Sequence, residues 1–352
     1  MPAQRKRQAV VNALFKQLDG ISRQCGEQFP LYRLPRERKW KLSRRGSWLG
    51  GFWTALWWRR AAYTELSEDL DQAVFWSRQL VAQLDEPSLN RSFGFWYGAA
   101  LGGRLAQDQS ARELALRAAD ALARDFCPEI GGWPLGPGMG GGDKGKATLN
   151  IDALAPTLAL MHLQGDGQQR EMARSHLELC LRTLRTGDGA WASHAHRDEQ
   201  GRFQRGPAGE WARGQAWAML GLAEAVGMYG GEYAAPAREA CAYWLRRWGE
   251  AAGKGNLTPA DADPCAVAIA SVALLRLWQC LPGMNDWRDQ ACRQIEALLS
   301  SEVQQGCFVG HYYRTGEQEQ LVESACATFF LVEALMTQDR ILASHGGIAG
   351  WN

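Results

Sequence analysis

Two kinds of helical segment alternate along this chain, and that alternation leaves few ways for it to fold. Segments with helical periodicity run at 3–26, 48–64, 67–84, 90–107, 109–126, 153–165, 166–186, 210–228, 233–250, 264–280, 284–301 and 321–341. The odd-numbered segments are amphipathic: Leu114, Ala118, Ala121 and Leu122 form one stripe, and Ala237, Cys241, Trp244, Leu245 and Trp248 another, each against charged residues. Such helices have one wet face. The even-numbered segments are apolar nearly all round, as in 93–103, 216–226, 266–275 and 325–335, and a helix without a polar face must be enclosed by protein. Wet and enclosed helices alternating every ~40 to 60 residues make a repeat, and an open stack of it would leave an apolar edge. The expected fold is all-α, an (α/α)6 toroid with six inner helices ringed by six outer ones. It spans 1–352 as one domain, with 1–47 a helix plus a basic lead-in.

In such a ring the inner helices are parallel, so their N-terminal ends meet at one mouth. Unpaired backbone N–H groups and positive dipole ends there favour an anionic small molecule. The segments leading into the inner helices hold the unusual residues: G-S-W-L-G-G-F-W (46–53), N-R-S-F-G-F-W-Y (90–97), N-I-D-A-L-A-P (150–156), E-W-A-R-G-Q-A-W (210–217), D-A-D-P-C-A (261–266) and V-E-S-A-C (322–326). Asp152 stands just ahead of an apolar helix whose Pro156 belongs in a first turn. It reads either as an N-cap or as a carboxylate kept for use, because burying one is costly. Asp263 followed by Pro264 is the N-cap and N1 pairing of a helix start. Arg213 sits among apolar neighbours and needs an anionic partner. That partner is either Asp152, which would make Arg213 structural, or a bound carboxylate.

Composition narrows the function. A net charge of +1 argues against a nucleic-acid binder working by bulk charge. No apolar run approaches the ~18 residues of a membrane span, and M-P-A-Q-R-K-R lacks the apolar core of a signal peptide. The expectation is a soluble, cytoplasmic protein. Nine scattered cysteines, with no C-x-x-C pair, read as reduced core residues, so neither a metal nor an organic cofactor is implied. Sixteen tryptophans serve packing first, but indole faces also stack on sugar rings.

With W-A-R-G-Q-A-W at 211–217 in place, the chain resembles the unsaturated glucuronyl hydrolases of glycoside hydrolase family 88, and more distantly the unsaturated rhamnogalacturonyl hydrolases. The resemblance runs from about Trp48 to Leu335. It includes G-F-W (51–53), G-F (94–95), I-D (151–152) and D-x-x-A-x-A-I-A (263–270). It implies a toroid acting on an acidic oligosaccharide that ends in a 4,5-unsaturated uronic acid, whose double bond is hydrated. The usual two-carboxylate displacement at the anomeric carbon is not involved. Asp152 would be the acid and then the base. Arg213 and Gln215 would bind substrate, and Trp48 and Trp217 would stack on or wall the sugar. His194 is the choice for the family's loop histidine, with His196 the alternative. Trp133 and Ser92 complete the expected substrate-binding set.

The departures matter more. Where the family has H-D before G-F, this chain has Arg91 and Ser92. Serine cannot take a proton near neutral pH, and Arg91 would lower the pKa of nearby acids. Either another acid fills the gap, with Asp143 and Glu210 the nearest in sequence, or the substrate differs, or activity is lost. The last case would leave a carbohydrate-binding or chemically diverged toroid. A sugar epimerase of related toroidal folds calls for paired cavity histidines, and no inner-helix motif here holds one of the six histidines. The loop at 132–148 contains G-x-x-x-x-G-K (140–146), but Ala147 replaces the Ser/Thr of a phosphate loop. It reads instead as a flexible flap offering Lys144 or Lys146 to an anion. The basic run Arg33, Arg36, Arg38, Lys39, Lys41, Arg44 and Arg45 reads as solvated surface or as a strip for an acidic oligosaccharide. His162 and His311 read as packing or surface residues. Polymer, linkage and oligomeric state are not legible.

Overall fold

A helix that is apolar on every side has to be surrounded by other helices, and the computed structural model meets that requirement with a closed ring. It describes residues 2–254, 263–301, 303–304, 306–315 and 318–344; Asp261 and Ala262 of the fifth lead-in lie outside them. The wet helices are α1 (Pro2–Cys25), α3 (Ser67–Gln79), α5 (Gln109–Arg124), α7 (Gly167–Leu184), α9 (Ala234–Arg247) and α11 (Asn285–Ser301). The enclosed ones are α2 (Gly50–Thr64), α4 (Arg91–Phe95, continuing through Trp96–Ala100 to Leu101–Leu105), α6 (Leu154–Met161), α8 (Ala212–Tyr229), α10 (Pro264–Cys280) and α12 (Ala325–Ser344). Each enclosed helix packs on the next, α2 on α4, α4 on α6, and so on to α12, which packs back on α2. The fold is the (α/α)6 toroid that the alternation requires.

Small residues let the inner helices approach. A Cβ on Gly51 of α2 would stand 2.3 Å from the Phe93 carbonyl oxygen, so only glycine fits where α2 meets α4. The middle of α4, Trp96–Ala100, is a π-helical turn, which disturbs the carbonyl ladder. Trp58 Nε1 donates to the Gly98 carbonyl there at 2.9 Å.

The strands escape a helix-period reading because most are short and all sit between helices. Strands β1 (Phe29–Arg33), β2 (Lys41–Ser43), β6 (Val303–Gln304), β7 (Cys307–Thr315) and β8 (Gln318–Ser324) form one antiparallel sheet in the order β2-β1-β8-β7-β6. Strands β3 (Thr148–Asn150), β4 (His194–Arg197) and β5 (Phe203–Arg205) form another. Both lie in the lead-ins to inner helices: β2 precedes α2, β3 precedes α6, and β8 runs straight into α12.

At the other end, charged residues from the inner helices close the ring. Glu333 of α12 pairs with Arg59 of α2 at 2.6 Å and lies 3.6 Å from Arg276 of α10, which also pairs with Glu224 of α8. Arg59 and Glu333 are buried, and a buried charge persists only when paired in this way. Among the described residues no helix is long and apolar enough to cross a membrane.

Candidate active site

The lead-in residues form a circuit around the mouth. Trp48, before α2, packs on Phe93 of α4 with ring centroids 5.8 Å apart. Beside Phe93, Ser92 accepts a hydrogen bond from Thr157 Oγ1 of α6 at 3.2 Å. Asp152, before α6, feels the Arg213 guanidinium of α8, and Arg213 pairs with Asp263, the first residue before α10. The buried thiols of Cys265 in α10 and Cys326 in α12 lie near one another. Ser324, before α12, contacts His311, whose ring meets Trp48 at 6.0 Å.

Asp152 is not a cap. The N-cap of α6 is Ala153, with no side-chain hydrogen bond at that helix start. Asn150 Oδ1 accepts from the Asp152 backbone N–H at 2.7 Å, holding the turn that carries the side chain. Its Oδ1 is sealed from solvent without a hydrogen-bond partner. Burial pushes the carboxyl up to about 7, against the opposing pull of Arg213 and of Asn150. An acid there exchanges its proton near neutral pH, as a group acting first as acid and then as base must.

Arg213 does not pair with Asp152, the protein partner expected for it. Its Nη1 donates to Asp263, and its Nη2 to the Tyr312 carbonyl at 3.0 Å. Its guanidinium also lies 4.8 Å from the centroid of Trp211. Asp263 has both oxygens in use, because Oδ1 accepts from the Ala266 N–H at 2.6 Å and caps α10. The expected N-cap is therefore also the counter-ion that fixes Arg213, and Asp152 is left with its field alone.

The β3–β4 pairing brings the loop histidines to Asp152. His194 stands opposite Asn150, two residues before Asp152, whereas His196 stands opposite Thr148, further from the helix start. His194 is exposed, with Nδ1 2.9 Å from Ser193 Oγ.

The curated unsaturated glucuronyl hydrolase of Bacillus sp. (strain GL1) is 30% identical over 217 residues, a match spanning 56% of this chain and 56% of that enzyme's length. This chain is similar to the unsaturated glucuronyl hydrolases. The crystal structure of the enzyme from Bacillus sp. GL1, responsible for glycosaminoglycan degradation, superposes with a TM-score of 0.82 at 23% identity, covering 96% of this chain and 97% of that one. An unsaturated glucuronyl hydrolase specific for heparin gives 0.83 at 17% identity, covering 96% and 98%. A variant of the Streptococcus agalactiae enzyme, complexed with dGlcA-GalNAc6S, gives 0.76 at 17% identity, covering 95% and 91%. At these identities the structural likeness is one of fold. No family model matches the chain.

Several residues expected at the site stand elsewhere or do other work. Gln215 is fully buried: its Oε1 accepts from the Trp191 N–H at 3.0 Å, and its Nε2 donates to the Gly189 and Ala240 carbonyls. It pins the loop that carries His194 and has no donor left for substrate. Trp133 is 1% exposed and donates Nε1 to the Leu122 carbonyl at 2.8 Å, packing between outer helices rather than facing a sugar. Trp217, 2% exposed against Phe93 and Phe330, supports the mouth from beneath. Arg91 does not act on the site's acids, because it turns toward α5 and binds the Leu84 and Ala121 carbonyls and Asp125.

Neither nominated second acid is buried. The Asp143 side chain is 97% exposed and pairs with Lys146 at 3.2 Å, and Glu210 is also exposed. The loop at 132–148 is not a loose flap. It folds on itself with the Gly136 N–H donating to the Gly145 carbonyl, and a Cβ on Gly145 would meet Gly136 at 2.1 Å. Its helical turn, Gly142–Gly145, has no strand before it, which also disposes of a phosphate loop. Of the basic run, Arg33 pairs with Glu323 and Arg45 with Glu86, while Arg36, Arg38, Lys39, Lys41 and Arg44 are exposed.

One group at the mouth, His311, was expected to be a packing or surface residue. His311 lies on β7 with Tyr313 two residues on, and both rings contact Trp48. The alternation of G-H-Y-Y along a strand would have been the signal.

Proposed function

We propose that the protein hydrolyses oligosaccharides ending in a 4,5-unsaturated uronic acid by hydrating the double bond, with Asp152 as acid and base. The observation that carries this reading is the Asp152 carboxyl, its Oδ1 sealed from solvent without a hydrogen bond and its pKa raised toward neutrality by burial, at the rim of an (α/α)6 ring. Protonated Asp152 delivers its proton to C4, and the positive charge that develops at C5 is shared with the ring oxygen. The resulting carboxylate then takes a proton from water as the water oxygen bonds to C5. The hemiketal opens by breaking the bond from C5 to the ring oxygen. The hemiacetal left at C1 expels the next sugar as an alcohol, and the proton balance is restored at Asp152. Arg213, fixed by Asp263, supplies a positive field that favours a uronate at the mouth.

Unsaturated disaccharides from several uronate polymers test this directly: their absorbance near 235 nm should fall with the protein and persist with Asp152→Asn. Persistence with the natural protein across the whole panel would sink the reading. Ser92 supports a second one. It is a fully buried hydroxyl bonded to Thr157 where the resemblance calls for an acid, which suits a toroid that binds such sugars without hydrating them. Activity gained by Ser92→Asp and absent from the natural protein would favour that alternative.

A further inference from the structure

His311 is fully buried, and the mechanism above makes no use of it. Its Nδ1 lies 2.7 Å from Ser324 Oγ, while its Nε2 is sealed from solvent with no protein partner. The serine determines the tautomer. Ser324 Oγ accepts from the Ala327 N–H at 3.1 Å, at the start of α12, and the hydroxyl is itself fully buried. Its own proton therefore needs an acceptor, and of these two partners only Nδ1 can be one. Nδ1 accepts, so Nε2 carries the hydrogen. Burial and the nearby Arg213 keep the ring neutral.

A buried N–H without an acceptor is costly unless a ligand supplies one. The surroundings point to the mouth: His311 meets Tyr313 at 5.3 Å and 83° and Trp48 at 6.0 Å and 71°. Those two rings stack on each other at 6.2 Å and 27°. Trp48 and Tyr313 are both only partly buried, so this hydrogen-bonded pair is the solvent-facing side of His311.

We infer that His311 Nε2–H is a substrate-binding donor that takes a hydroxyl or carboxylate oxygen of the uronyl residue once the Trp48–Tyr313 stack that covers it parts. The inference rests on the proposed function. It gives the site three different groups: an acid at Asp152, a fixed cation at Arg213 and a neutral donor at His311. A neutral donor binds an oxygen without pulling down the pKa of Asp152, as a second cation would.

The test combines kinetics at 235 nm with nitrogen-15 spectra of the side chains, which six histidines leave resolvable. His311→Phe should raise KM by about tenfold with a smaller change in kcat. His311→Gln, whose amide N–H reaches a similar point, should recover most of that loss. Ser324→Ala, which frees the tautomer, should raise KM by less than His311→Phe does. In the folded natural protein the His311 signal, identified by its loss in His311→Phe, should report hydrogen on Nε2. In Asp152→Asn it should shift when an unsaturated disaccharide is added. Hydrogen on Nδ1, an unmoved His311 signal while others titrate, or an unchanged KM in His311→Phe each overturns the inference and leaves the proposed function standing. A natural protein that neither binds nor turns over any of the disaccharides overturns both.

Discussion

Asp152→Asn should make the protein inactive and more stable, with a gain that depends on pH in a defined way. The carboxyl is pushed up to about 7 from an ordinary 3.8 because burial disfavours its charge. Below pH ~4 both folded and unfolded chains hold the proton, so acid and amide behave alike. Between ~4 and ~7 the unfolded chain releases it and the folded chain does not, and stability falls by about 1.36 kcal/mol per pH unit. Above ~7 the loss levels off at about 4 kcal/mol. The amide never ionises and escapes the penalty. For a chain of 352 residues, about 2.1 cal/mol/K per residue converts 1 kcal/mol into about 1.4 °C. The variant should therefore melt about 6 °C above the natural protein at pH 8, about 3 °C above it at pH 5.5 and level with it at pH 4. Scanning calorimetry of the two proteins across that range reads the difference. An Asp152→Asn protein that melts at or below the natural one at pH 8, or a gap that ignores pH, would refute the claim that this carboxylate is held in a desolvated site at the fold's expense.

Other consequences are checked more simply. If protonated Asp152 is the reacting acid, kcat/KM should fall tenfold per unit above pH ~7, and a profile flat to pH 9 would contradict it. Arg213→Met strands Asp263 in a buried site and should cost about 3–5 kcal/mol by denaturant titration, part of which Asp263→Asn on the same chain restores. Gln215→Ala leaves the Trp191 N–H and two carbonyls unpaired and should cost about 2–3 kcal/mol. Measured below its melting point it should change KM little, and a large KM effect would return Gln215 to the substrate.

The ring was legible because enclosure is written into whole helices. Ala216–Val226 has no wet side, and only a closed arrangement hides six such segments. Asp263 was legible as a cap because Asp-Pro has few other uses, and the structure adds only its second bond, to Arg213. Gln215 and Trp133 misled because a motif states residue type and not direction: both point into backbone carbonyls that lie far away in sequence. Most of the strands were lost among helices because they are short; the longer β7 carries a register shift between Val309 and His311, and the end of β8 reads as the start of the helical segment at 321–341. His311 reads as packing or surface because what it could bind is not written in its neighbours. Its role depends on Ser324, thirteen residues on and across a hairpin.

The salt-bridged cluster of Arg59, Glu224, Arg276 and Glu333 makes the ring a cul-de-sac. Nothing threads through a bore plugged by paired charges, so whatever enters past Trp48 must back out the same way. On the proposed reading a sugar chain can thus offer only its tip, never its middle.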